Sequence, residues 1–306
     1  MITYNDTDLI LAPCAGYTDA GMRTLCTRYG AGLCFTEMVS AKGLLYNNAN
    51  TEALLTLLPE EKNTGVQLFG SEPDILAAAI QDERLKKFPV IDINMGCPVP
   101  KIVTNGEGSA LMKDPDRIFR IVKAAKEAAG DRLLTVKMRA GFYSGYENAP
   151  ECAAASEEAG ADMVTVHGRT RDMYYSGKVD YGIIGKVKQA VKIPVCGNGD
   201  VTDRDSYLKM KEATGVDYVS IARGAFGRPY VFAAIRGEEY DFNVKQAVLE
   251  HISLLSFLPE RTVANCMKKQ IAFYIKGRRG HKEIKEAVFR ASDMKELISV
   301  IDLIDF

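Results

Sequence analysis

A lysine inside an apolar run is the first residue that asks for chemistry. Lys137 sits inside the stretch Leu133-Leu134-Thr135-Val136-Lys137-Met138-Arg139, and an ammonium group buried there is costly unless an anion pairs with it or a reaction uses it. Three roles are open from the bare residue: holding a negatively charged ring such as a reduced flavin, forming a Schiff base as an aldolase does, or making a structural ion pair. His167, one of three histidines, ends another apolar run. It can donate to a phosphate, a carbonyl or a ring, or sit as a satisfied core residue. Cys97 lies between Gly96 and Pro98 beyond a third run. An ordinary thiol has a pKa of about 8.5 and is protonated at neutral pH, which suits a proton donor. It also suits a latent nucleophile with a base beside it, or a structural cysteine.

Polar and glycine-rich clusters accompany these residues. Gly197-Asn198-Gly199-Asp200 and Ala222-Arg223-Gly224 each follow an apolar run. Glycine lets the backbone approach an anion closely and Arg223 adds charge, so both read as phosphate-binding turns rather than tight turns alone. Pro13-Cys14-Ala15-Gly16, Gln67, Asn94, Arg139 and His167-Gly168-Arg169-Thr170-Arg171 sit at the ends of other runs.

The elements that must position these clusters are short strands. Apolar runs at 9–12, 33–36, 66–69, 90–94, 133–138, 163–167, 194–198 and 218–222 alternate with segments of helical period. Strands alternating with helices imply parallel pairing, and their continuous apolar character fits strands covered on both faces. Eight such units predict an α/β fold of the (β/α)8 TIM-barrel type over residues 1–240, in preference to a doubly wound open sheet, because polar clusters follow nearly every strand. In a barrel the strand ends share one mouth. Beyond residue 242 no strand run occurs, and Val248, Ile252, Leu255, Ile271, Tyr274 and Ile275 recur at helical spacing. Residues 241–306 are therefore expected to form a small all-helical C-terminal domain. Between Arg261 and Lys285 the chain carries a net charge of +7, leaving −8 elsewhere.

Composition bounds the rest. With 306 residues, 47% hydrophobic and 26% charged, the chain is ordinary globular material, not a disordered one. A net charge of −1 excludes a uniformly basic coat protein but leaves room for a local basic patch. Seven scattered cysteines without a CxxC suggest neither a disulfide framework nor a zinc site. No leader or membrane span is evident. A cytoplasmic, metal-free monomer with reduced thiols is expected.

The residues also carry a resemblance. The chain resembles the tRNA-dihydrouridine synthases, most of all the bacterial B-type subgroup. The matching stretches are Leu11-Ala12-Pro13-Cys14-Ala15-Gly16-Tyr17-Thr18-Asp19, Val66-Gln67-Leu68, Asp92-Ile93-Asn94-Met95-Gly96-Cys97-Pro98 and Gly108-Ser109-Ala110-Leu111-Met112. Val136-Lys137-Met138-Arg139, Val166-His167-Gly168-Arg169-Thr170-Arg171, Pro194-Val195-Cys196-Gly197-Asn198-Gly199-Asp200 and Ala222-Arg223-Gly224-Ala225 follow in family order. The resemblance implies FMN in the barrel mouth, reduced by NADPH or NADH, and tRNA as substrate. It implies Pro13, Cys14 and Ala15 against the flavin, with Gln67 and Lys137 at its polar edge. His167, Asn198, Gly199, Asp200, Ala222, Arg223 and Gly224 would hold the ribityl phosphate end. Cys97 would be the general acid, and Asn94, Arg139, Arg169 and Arg171 would face the uracil or its RNA. Lys268, Lys269, Arg278 and Arg279 would serve a tRNA-gripping tail. The sequence departs from the family pattern in having Cys14 where methionine is usual and Tyr181 and Tyr230 where tryptophan is common. Two other enzyme classes also answer to parts of the pattern: a flavin barrel acting on a free pyrimidine, like dihydroorotate dehydrogenase, and a class I aldolase using Lys137. A non-catalytic RNA-binding protein would explain only the tail.

Overall fold

The computed structural model describes residues 7–46 and 48–304, without the side chains of residues 49 and 50. Its strands are β1 (Leu9–Leu11), β2 (Leu33–Phe35), β3 (Val39–Ser40), β4 (Thr64–Phe69), β5 (Val90–Met95), β6 (Leu133–Arg139), β7 (Met163–His167), β8 (Val195–Asn198) and β9 (Tyr218–Ile221). All pair in parallel in the order β2-β1-β9-β8-β7-β6-β5-β4-β3, and β2 also pairs with β4. That last pairing closes a TIM barrel. The extra strand, β3, is a short continuation of β2: Cys34 pairs with Thr64, and Val39 pairs with Leu68 further along the same partner, β4.

The outer ring is made by α1 (Ala20–Arg28), α2 (Ala41–Leu45), α3 (Ala49–Leu54), α4 (Pro73–Ile80), α6 (Pro115–Ala129), α7 (Ala149–Glu158), α8 (Tyr181–Ala190), α9 (Arg204–Thr214) and α10 (Val231–Arg236), while the short α5 (Pro100–Thr104) lies at the barrel mouth with Ile102 on the cavity. Their starts are written locally. Asp114 accepts the Arg117 N–H before Pro115 opens α6, and Asp203 with Ser206 forms a capping box on α9.

Two layers of apolar side chains hold the barrel. Leu68, Ile93, Val136, Val166 and Val219 pack outward against the helices. Ile10, Leu33, Phe35, Val90, Met163, Cys196 and Tyr218 form a separate cluster. Most of these open their strands, so the lower barrel is filled with carbon. Gly65 makes room there, since a Cβ on it would stand 2.7 Å from the Phe35 ring. Further along the same strands the side chains become polar, and the filling gives way to a cavity.

Helices α11 (Val244–Leu254), α12 (Glu260–Tyr274), α13 (His281–Arg290) and α14 (Met294–Ile301) enclose a second core of Val248, Leu255, Met267, Ile271, Leu297 and Ile301. This core meets the barrel through α1, whose Leu25 belongs to it. Asp19, the cap of α1, accepts from His251 Nε2 at 2.8 Å and from Gln270 Nε2 at 2.9 Å. His251 is fully buried at this joint. Gly21 permits the approach, because a Cβ there would lie 2.4 Å from the His251 ring.

Candidate active site

The barrel mouth opens into a cavity of about 1310 Å³. Strand register explains its polar floor. Gln67 pairs with Asp92 and Asp92 with Thr135, while Asn94 pairs with Lys137 and Lys137 with Thr165. Alternate residues of each strand face the same way, so these side chains converge inside the barrel.

Lys137 enters from β6. Its Nζ is 3.3 Å from Asn198 Oδ1 and makes no ion pair among the described residues. Burial holds its pKa below the ordinary lysine value, with Arg139 adding to the effect and Cys14 and Asp92 opposing it. The structural-ion-pair role is thus not met among the described residues, and the Lys137 side chain lines the cavity. His167 ends β7 and is pushed well below the usual imidazole range by burial, then by Lys137, Arg139, Arg169 and Arg223. It is therefore a neutral ring at pH 7.

Cys97 is held by a relay that crosses three strands. Thr135 Oγ1 donates to Asp92 Oδ1 at 2.6 Å, and Gln67 Nε2 donates to Asp92 Oδ2 at 2.7 Å. Asn94 Nδ2 donates to Gln67 Oε1 at 2.8 Å, and Asn94 Oδ1 accepts the N–H groups of Gly96 and Cys97 at 3.1 and 2.9 Å. On the other side Ser109 takes the Cys97 carbonyl through both N–H and hydroxyl. Gly108, at φ +59°, allows that contact, since a Cβ would stand 2.9 Å from the same carbonyl. Burial raises the Cys97 thiol, outweighing a backbone hydrogen bond and the charges of Arg139 and Lys137. It is a neutral sulfhydryl at the cavity wall.

All twelve residues expected around a cofactor line this one cavity: Pro13, Cys14, Ala15, Gln67, Lys137, His167, Asn198, Gly199, Asp200, Ala222, Arg223 and Gly224. Burial pushes the Cys14 thiol up to about 11. Asn94, Arg139 and Arg278 line it as well. The remaining expected substrate residues are placed differently. Arg169 is 3% exposed and spends its guanidinium on both Asp200 oxygens (3.0 and 2.5 Å) and on the carbonyls of Ser176 and Gly177. It steadies Asp200, which Arg223 also engages at 2.9 Å. Arg171 stacks over Phe142 and Tyr174 beside the mouth. Lys268 donates to the Ala291 carbonyl at 2.5 Å and so holds α12 to the end of α13. Lys269 lies 5.8 Å from the Tyr17 ring, and Arg279 is exposed on the surface.

Arg139 braces the mouth. Nε donates to the Gly96 carbonyl at 2.8 Å, and Nη1 donates to the carbonyls of Thr170 and Tyr174. Several wall residues escaped the sequence reading: Tyr175, Arg228, Lys276, and the aromatic group of Tyr17, Phe226 and Phe273. Tyr17 stacks on Phe226 at 4.3 Å, and Phe273 of α12 meets both edge-on. One side of the cavity is therefore built by the C-terminal helices. A charged residue in an apolar strand was a readable signal for Asp92 as it was for Lys137.

Among the described residues no group of three His, Cys, Asp or Glu is placed to hold a metal, and no helix is long and apolar enough to cross a membrane.

Residues 10–305 match the family model described as dihydrouridine synthase (Dus). The chain is 36% identical over 288 residues to the tRNA-dihydrouridine synthase B of Pseudomonas putida, covering 91% of this chain and 85% of that one. It is 36% identical over 300 residues to a probable tRNA-dihydrouridine synthase of Rickettsia conorii, covering 94% and 89%. Among solved structures it resembles histamine dehydrogenase from Rhizobium sp. 4-9, with a TM-score of 0.56 at 14% identity over 81% of this chain and 49% of that one. A morphinone reductase variant in complex with tetrahydroNAD gives a TM-score of 0.53 at 13% identity, over 75% and 86%. These two likenesses concern the barrel fold.

Proposed function

We propose that this chain, which belongs to the dihydrouridine synthase family, is an oxidoreductase that converts uridines of tRNA to 5,6-dihydrouridine, using FMN in the barrel mouth and NADPH as reductant. The substrate class rests on the names of its relatives. The observation that carries the chemistry is one cavity lined by a neutral thiol, Cys97, and a buried lysine, Lys137, that makes no ion pair among the described residues.

The residues fit a flavin. An ammonium without a carboxylate partner, facing a cavity, calls for an anionic ligand. Gly199 and Gly224 also line this cavity, where Arg223 supplies charge for a phosphate. Gly224 is confined to glycine, since a Cβ would stand 2.3 Å from the Val201 carbonyl. When bound, the flavin supplies a hydride to C6 of the uracil ring.

The chain's own groups do the rest. Pro13, Cys14 and Ala15 give the ring an apolar wall, while Gln67 and Lys137 serve its polar edge and balance negative charge. His167, Asn198, Gly199, Asp200, Ala222, Arg223 and Gly224 anchor the phosphate end. Hydride at C6 leaves negative charge on C5 and O4 of the base. The Cys97 S–H then gives its proton to C5 as general acid. Asn94 fixes the backbone that carries the thiol. Arg139 stands at the uracil. A stacked base cannot enter, so the uridine swings out of the RNA at an unstacking cost of a few kcal/mol.

The test is Cys97→Ala. The purified variant should remain yellow and oxidise NADPH, yet form no dihydrouridine in unmodified tRNA by mass spectrometry. Normal product from that variant removes Cys97 from the mechanism. Equal turnover of free uridine monophosphate by the wild type would move the reading to a free-pyrimidine reductase.

A further inference from the structure

Two loops beside the mouth expose four tyrosines. Tyr143 and Tyr146, after β6, are 53% and 61% exposed, and Tyr174 and Tyr175, after β7, are 39% and 56% exposed. The loops are rigidly joined. Ala140 N–H donates to the Arg169 carbonyl at 3.1 Å, and Arg171 N–H to the Gly141 carbonyl at 2.9 Å. Ser144 donates to Asp172 through N–H and hydroxyl, and Thr170 donates to the same carboxylate. A turn with Gly145 at φ +86° brings Tyr146 N–H to the Tyr143 carbonyl at 3.1 Å.

Cations lie against this shelf. Lys113 Nζ is 3.9 Å from the Phe142 ring centroid and 5.8 Å from that of Tyr143. Arg171 is 5.2 Å from Phe142 and 5.7 Å from Tyr174. Two acids share these loops: Asp172 accepts from Ser144 and Thr170, and Glu147 accepts the Gly145 N–H. Tyr175 lines the cavity, so the shelf runs into it. Pre-ordered aromatic faces backed by cations, continuous with a mouth that admits one base, match the way unpaired nucleotides are held: bases stack on the rings and phosphates meet the charge.

We propose that Tyr143 and Tyr146 form a stacking shelf for unpaired RNA bases next to the extruded uridine, with Lys113 and Arg171 set behind them. This rests on RNA being the substrate. Stacking is insensitive to salt, whereas phosphate contact is not, and that difference makes the shelf testable.

The experiment measures binding of an unmodified tRNA transcript by the full-length flavin-loaded protein at several salt concentrations. Three forms are compared: wild type, Tyr143→Ala/Tyr146→Ala and Tyr143→Phe/Tyr146→Phe. The alanine pair should bind roughly tenfold or more weakly, with the same slope of log affinity against log salt. Its melting temperature and tRNA-free NADPH oxidation should match wild type. The phenylalanine pair should bind like wild type. Alanine-pair affinity within twofold of a wild type that does make dihydrouridine overturns the shelf. So does a reduced salt slope, which would mark phosphate contacts, or a phenylalanine pair as weak as the alanine pair. A wild type that binds the transcript but forms no product overturns the proposed reaction alone, and the shelf is still decided by binding. A wild type that does not bind it overturns both.

Discussion

Burial keeps the Cys97 sulfhydryl protonated above the ordinary thiol range, so proton delivery should persist through neutral pH. A rate profile for dihydrouridine formation should fall only on the alkaline side of a free cysteine. The residue that sets the thiol's place is further down the barrel. Asp92 has its pKa raised to about 6 by burial, against hydrogen bonds from Gln67 and Thr135 and the charge of Lys137. A raised carboxyl pKa means that the fold binds a proton the unfolded chain has released. Ionisation of Asp92 therefore costs stability as pH rises from about 4 to about 6, and the cost is constant above that. Asp92→Asn should remove that slope in urea unfolding and keep the relay, with its oxygen toward Gln67 and its amide toward Thr135. Asp92→Ala strands the Gln67 amide, a loss of about 1–3 kcal/mol, and lets the Cys97 loop drift. Dihydrouridine formation should drop roughly tenfold to a hundredfold. Equal activity in the alanine and asparagine variants would detach the relay from the thiol. Lys137, His167 and Arg223 were legible because charge at the end of an apolar run is costly without a purpose. The relay was not, because it needs the register of three strands. The resemblance assigns Arg169 and Lys268 to the RNA, and sequence does not show what they touch within the protein: one grips Asp200, the other the Ala291 carbonyl.

At the scale of elements, the eight long apolar runs announced the barrel, since each strand is covered on both faces and needs no alternation. What escaped was too short to carry a period. The continuation strand has two residues, α5 has five and buries none of them, and α10 has six. The joint between α1, α11 and α12 was also hidden, because Asp19 and His251 are 232 residues apart. Burial raises the Asp19 carboxyl, but the charge and hydrogen bond of His251, the Met22 N–H and Gln270 outweigh it and leave the pKa lowered. A lowered carboxyl contributes stability that is fully present above its unfolded value near 3.8 and is lost as pH falls through the lower folded value. His251→Ala should leave a buried carboxylate without its partner and cost about 3–5 kcal/mol at neutral pH. Its unfolding free energy should also decline less between pH 4 and 2 than that of the wild type. An unchanged melting temperature at pH 7 would show that the joint contributes nothing. Because α12 builds one wall of the cavity, loosening the joint should weaken RNA binding more than it slows NADPH oxidation.

Taken as a whole, the molecule is nearly neutral yet strongly polarised. The stretch from Arg261 to Lys285 carries +7 and everything else −8. A polyanion approaching this surface is repelled over most of it and drawn to one end, which is the end where Lys276 and Arg278 line the mouth. On the proposed function, that field would orient a tRNA before any base is read. Not every cation in the stretch is free to meet a phosphate. Arg279, Lys282 and Lys285 are exposed, whereas Lys268 is committed to a carbonyl within the helical unit. The two kinds should separate cleanly in salt titrations of tRNA affinity. Each phosphate contact removed lowers the slope of log affinity against log salt by about 0.7–0.9. Lys276→Gln/Arg279→Gln should thus lower the slope by about 1.5 and leave the melting temperature in place. Lys268→Gln should do the reverse, since it frees α13 from α12 without removing a phosphate contact. If Lys268→Gln lowers the slope and the Lys276/Arg279 pair does not, the RNA lies across a different face, and the charge separation steers something other than docking at the mouth.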